Sequence, residues 1–168
     1  MRSDAFDITY ATVTAGGSRG GECTTIVRPA EVIVTPLNAL TPGCVTIMLG
    51  TRKKMAGDEI ALWIDFERDT ALRVSDGMLS ALASGKAASI KGTARAEAWD
   101  HKGGHREAGT VYFEVQGEKR TEHPDVWPWT ISTSRRGADG VVRRLDEMRF
   151  QVSDARVLAE LLRQMPLR

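Results

Sequence analysis

Apolar and polar residues alternate at period two through much of this chain: Phe6, Ile8 and Tyr10 near the start, Ile60, Leu62, Ile64 and Phe66 further on, then Val111, Phe113 and Val115. Successive side chains of a strand point to opposite faces, so this period predicts strands with one face in a core and the other in water. The residues between agree. Segments 23–37 and 44–50 are rich in Val, Ile and Thr, and Ala94, Ala96 and Ala98 form a small-residue face opposite Arg95, Glu97 and Trp99. Trp129 and Ile131 share a face, and residues 141–152 again read as a strand. Glycine, proline and polar clusters at 15–22, 36, 41–43, 101–109 and 135–140 punctuate the pattern as turns. The chain therefore reads as an antiparallel, sheet-based protein.

Two stretches change to helical spacing. In LRVSDGMLSAL, Leu72 and Val74 read as a strand end and Ser75 or Asp76 as an N-cap, with Met78, Leu79 and Leu82 as the apolar stripe. Gly85 then closes a helix of two to three turns. In FQVSDARVLAEL, Val152-Ser153-Asp154 opens a second helix with Leu158, Leu161, Leu162 and Met165 on one side, stopped by Pro166. Val-Ser-Asp thus recurs at an offset of 78 residues, from position 74 to 152. Four strands and a helix, given twice, predict an α+β fold of one domain spanning 1–168, built from two pseudo-repeats at 1–85 and 86–168.

Composition narrows the function classes. A chain of 168 residues with 42% hydrophobic content can bury the core of one ordinary domain. No run approaches the roughly 20 apolar residues of a membrane helix, and MRSDAFDITY lacks the layout of a signal peptide, so no membrane association and a cytoplasmic location are expected. Cys23 and Cys44 have no CxxC spacing and are expected as free thiols. The net charge of +1 divides into 8 Lys+Arg against 10 Asp+Glu in residues 1–85, and 15 against 12 in 86–168. The second half can carry a basic surface, but the balance does not by itself argue for nucleic acid.

LRVSDGMLSALASG and MRFQVSDARVLAELLRQMPL resemble the strand-into-helix ends of the two repeats in the Whirly family of single-stranded-DNA-binding proteins. The order of elements is similar both to that family and to a fused pair of the units seen in the transcriptional coactivator positive cofactor four. Whirly proteins also carry a Lys-Gly-Lys-Ala-Ala motif in the first repeat. Here only SGKAAS, Ser84 to Ser89, is similar, and it opens the second half, so its role is not carried over. The resemblance implies sequence-independent binding of single-stranded DNA or RNA, without catalysis or cofactor, by a homo-oligomer.

The residue types that such binding needs are present. Bases stack on aromatic faces and cations neutralise phosphates. Trp63, Trp99, Tyr112 and Trp127 are the candidate platforms. Arg52, Lys53, Lys54, Lys86, Lys91, Arg95, Lys119, Arg120, Arg135, Arg136, Arg143 and Arg144 are the candidate phosphate contacts. In STSRRGADGVVRR a turn at Gly137 to Val141 would bring two arginine pairs to one end of the sheet. Their repulsion calls for a counter-charge, either Asp139 and Asp146 or a phosphate. Against this stands a plainer possibility, a β-rich interaction or assembly protein of phage or plasmid origin with no nucleic-acid role, in which strand tryptophans are core and paired basic residues are solvated.

Catalytic and metal chemistry find less support. His101, His105 and Glu107 lie on a glycine-bearing turn that fixes no ligand geometry, and read as solvated. Asp65 and Glu67 read as an exposed polar strand face, with no histidine or serine constellation beside them. AGGSRGGE lacks the Gly-Lys-Ser/Thr ending of a phosphate-binding loop.

Overall fold

The computed structural model describes residues 4–14, 24–35, 44–50, 60–99, 106–118 and 128–164. Within them the chain is α+β, with antiparallel strands and two helices. The order is β1 (Asp4–Thr14), β2 (Thr24–Thr35), β3 (Cys44–Gly50), β4 (Ile60–Glu67), α1 (Arg68–Ser84), β5 (Ala88–Trp99), β6 (Arg106–Gly117), β7 (Trp129–Arg136), β8 (Val142–Phe150) and α2 (Val152–Gln164). The alternation that marked the strands decides their burial. Ile8, Ile64, Phe66, Val111, Phe113, Val115, Trp129 and Ile131 are all buried.

Each strand pairs with the next, and β8 returns to β1, so the sheet closes into a barrel. Within each set of four, the pairings are long: β5 and β6 run in register from Ala88↔Gly117 to Trp99↔Arg106. The two seams between sets are short. The described pairs are Ile64↔Ala96 and Asp65↔Arg95 for β4 with β5, and Ala11↔Arg149 and Thr12↔Met148 for β8 with β1. Closure pairs strands that would otherwise stand at the ends of an open sheet. Arg73 of α1 supplies further cover, donating from Nη1 to the Lys91 carbonyl of β5 at 2.9 Å. Gly92 makes room for it, since a Cβ there would stand 2.6 Å from Arg73 Nη2.

The helices pack on one another and join the same apolar cluster as the strands, from Ile8 on β1 to Phe150 on β8. Their meeting faces are small where they are closest. Ala71 and Ser75 of α1 and Ala155 and Ala159 of α2 are each at most 1% exposed, and Ser75 Oγ donates to the Ala159 carbonyl at 2.6 Å. Arg163 and Asp76 pair across the exposed side of the same interface.

This packing corrects the predicted start of the first helix. Leu72 and Val74 do not end a strand, and neither Ser75 nor Asp76 caps anything. Strand β4 ends at Glu67, and α1 runs 17 residues from Arg68, more than the two to three turns expected. Its N-cap, Glu67, makes no side-chain cap bond. Ala71, Val74, Ser75, Met78 and Ala81 recur at three and four and are all buried, so docking against α2 and the sheet sustains the early turns where a cap does not. The Val-Ser-Asp echo is therefore not one structural position seen twice. Residues 74–76 are mid-helix, whereas residues 152–154 form the first turn of α2. Gly85 does close α1, in the left-handed conformation at φ 65°.

At the start of α2, Asp154 reaches back to accept the Gln151 backbone N–H at 3.4 Å, the returning half of a capping box. Burial raises its carboxyl above the ordinary value of 3.8, and the Gln151 N–H opposes that rise. A raised native value means that the stability linked to this group is full below pH 3.8 and declines as pH rises through the native value. Asn keeps the acceptor without the charge. Relative to the parent, Asp154→Asn is therefore expected to become progressively more stable as pH increases from below 3.8 towards neutrality. Urea unfolding across that range measures this, and a constant difference would contradict it.

Candidate nucleic-acid interface

The alternation that buries one side of β5, β6 and β7 turns the other side outward. Lys91, Thr93 and Arg95 of β5 are exposed, Tyr112 of β6 is 42% exposed, and Arg136 of β7 is exposed. Register aligns these residues in rows across the strands. One row is Lys91, Glu114, Ser132 and Glu147; the next is Thr93, Tyr112, Ser134 and Arg144. Beyond them Arg95 stands opposite Thr110, and Arg136 lies two residues past Ser134 on the same face of β7. Between Thr133 and Ser134 the register with β8 shifts by a residue, a bulge that adds local twist.

The face is concave. A groove of about 560 Å³ is bounded by Lys91, Thr93, Tyr112, Glu114, Ser132, Ser134 and Val142. A second, of about 350 Å³, adjoins it at Thr93 and extends over the β4–β5 seam, with Asp65, Glu67, Arg95 and Thr110 on its walls. An aromatic ring, hydroxyls and cations thus share one surface. The surface is not uniformly positive. Lys91 Nζ is 3.9 Å from Glu114 Oε1, and the Gln116 side-chain amide donates to the same carboxylate oxygen. Among the described residues, neither Arg95 nor Arg136 makes an ion pair.

The arginine cluster divides. The turn between β7 and β8 closes as expected, with Gly137 N–H donating to the Val141 carbonyl at 2.9 Å and the Asp139 carboxylate accepting from Val141 N–H at 3.0 Å. But adjacent residues of a strand alternate faces. Arg136 is exposed, whereas Arg135 is half-buried with its guanidinium over Gly109 of β6, where a Cβ would stand 3.0 Å from Nη2. That Nη2 is buried and, among the described residues, has no hydrogen-bond partner. Arg135 thus lies on the other face from Arg136, half-buried against β6. Arg143 and Arg144 stand in register opposite Arg135 and Ser134.

Lys86 is exposed just after Gly85, away from the groove walls. Trp63 lies on β4 and Trp99 ends β5, with side chains outside the described set. Arg52, Lys53, Lys54, Lys119, Arg120 and Trp127 lie outside the described residues altogether, as do His101 and His105. Asp65 is not the exposed carboxylate that alternation predicts. It is 1% exposed between its register partners Thr46 and Arg95. Thr93, Thr110, Ser132 and Ser134 were not singled out from the sequence. Their signal was the same period-two pattern, but only the register of β5, β6 and β7 puts them beside Tyr112.

Among the described residues, no three His, Cys, Asp or Glu side chains group closely enough to hold a metal ion, and no helix is long and apolar enough to cross a membrane. Compared with known proteins, the chain matches no family model, no curated protein and no solved structure.

Proposed function

We propose that this protein binds single-stranded nucleic acid, largely without regard to sequence, on the outward face of β5, β6 and β7. It acts by binding and not by catalysis. The observation that carries the reading is Tyr112, 42% exposed in a groove lined by hydroxyl side chains, with the exposed guanidiniums of Arg95 and Arg136, which make no ion pair among the described residues, beyond it. Base–aromatic stacking contributes about 1–3 kcal/mol per base and does not depend on which base is stacked. Cations alongside neutralise the phosphates, making affinity fall with salt. The twice-given order of four strands and a helix agrees with the Whirly resemblance, and a homo-oligomer belongs to the same reading.

Tyr112→Ala is expected to weaken binding of a fluorescein-labelled 20-residue oligothymidylate about 5- to 100-fold by anisotropy at low salt, corresponding to one lost stacking platform. Equal binding by the variant, or no binding by the parent, would count against the reading. The alternative, a protein-docking face in an assembly, draws on the exposure of Val141 and Val142, 50% and 48%, beside the groove. The ultraviolet absorbance ratio of the purified protein before and after a high-salt wash separates the two, since only a nucleic-acid binder sheds absorbance at 260 nm.

A further inference from the structure

The cations on this face differ in whether they are already matched. Lys91 has Glu114 at 3.9 Å, and Glu147 lies in the same row. One row further out, Arg149 of β8 is half-buried at the β1 seam. That end of the face therefore holds two cations, Lys91 and Arg149, against two carboxylates, Glu114 and Glu147. At the other end, Arg95 and Arg136 are exposed and make no ion pair among the described residues; Arg95 stands opposite Thr110 of β6, and the near carboxylates are the buried Asp65 and the exposed Glu67, both on β4 at the outer side of β5. Tyr112 stands in the row between the two ends.

Arg95 and Arg136 lie on strands two apart, a lateral separation of about 10 Å. Lys91 and Arg95 lie four residues apart along β5, about 13 Å. A phosphate chain following β5 would engage Lys91 and Arg95 and pass the Glu114 carboxylate; one crossing β5, β6 and β7 near the Thr110 level would meet both exposed guanidiniums and avoid it. Building on the nucleic-acid reading above, we propose that the bound strand crosses β5, β6 and β7, its phosphates held between Arg95 and Arg136 and a base laid back onto Tyr112. Glu114 bounds the site on the far side, and Lys91 takes no phosphate because its charge is already matched.

Four single variants test this with the same labelled oligothymidylate over a range of salt. Arg95→Ala and Arg136→Ala should each weaken binding about 3- to 10-fold and lower the slope of log K against log salt by about 0.7, one phosphate contact on a single strand. Lys91→Ala should leave both within twofold. Glu114→Gln, which removes the bounding charge and releases Lys91, should tighten binding about 2- to 5-fold. All four side chains are on the surface, and unchanged melting curves verify that folding is intact. If the parent binds but Lys91→Ala costs as much as Arg95→Ala while Arg136→Ala costs nothing, the strand follows β5 and the crossing path is wrong, though binding stands. If the parent does not bind at low salt, the reading and the path both fail.

Discussion

Phe66→Ala is expected to be among the most destabilising single changes in the chain, costing about 3–5 kcal/mol. Phe66 is fully buried at the end of β4, where the chain turns directly into α1. Its ring meets that of Phe113 edge-on, with centroids 4.9 Å apart and planes at 75°. Alanine would lose the transfer energy of the ring, leave a cavity between strands and α1, and remove an aromatic contact of about 0.5–1.5 kcal/mol. The ring belongs to the cluster shared by strands and both helices, so the loss should appear as an earlier but still single unfolding transition in urea. A double-mutant cycle with Phe113→Leu then isolates the ring pair. A coupling near zero would show that the edge-on contact adds nothing beyond buried area.

Leu162→Ala is the second large effect, about 2–5 kcal/mol. Leu162 is 2% exposed on α2, in the same cluster as Met78 and Val74 of α1. The matched control is Val157 on the same helix, 38% exposed, where truncation to alanine should stay within about 0.5 kcal/mol. The contrast separates docking from helix propensity, because alanine is the better helix former at both positions. If the two variants were equally stable, α2 would contribute little to the fold, and the account of the first helix would weaken with it. Helix α1 lacks a side-chain cap and relies on the face that meets α2.

Most of the strand content was legible because period two is a local signal. A residue and its second neighbour share a face whatever the rest of the chain does. Trp129 and Ile131 illustrate this, as does the whole β5–β6 hairpin. The first helix was misread from its middle because Leu72 and Val74 also fit a strand, and a Ser-Asp pair ahead of an apolar run imitates a cap. The site was legible in parts. Tyr112, Lys91, Arg95 and Arg136 could be named as outward residues, but Arg135 has the same composition and neighbourhood as Arg136 and ends on the other face.

What the sequence by itself determined is the set of elements: strands where apolar residues alternate, helices where they recur at three and four, and a turn at Gly137 to Val141. Tertiary structure alone decided the closure of the sheet, the burial of Ser75 and Asp65, and the company Tyr112 keeps. The physical reason is range. Periodicity and turn chemistry act over a few residues, whereas the row of Thr93, Tyr112 and Ser134 and the bond from Ser75 to Ala159 join positions 19 to 84 residues apart. Their meeting depends on register and packing, which no local pattern encodes.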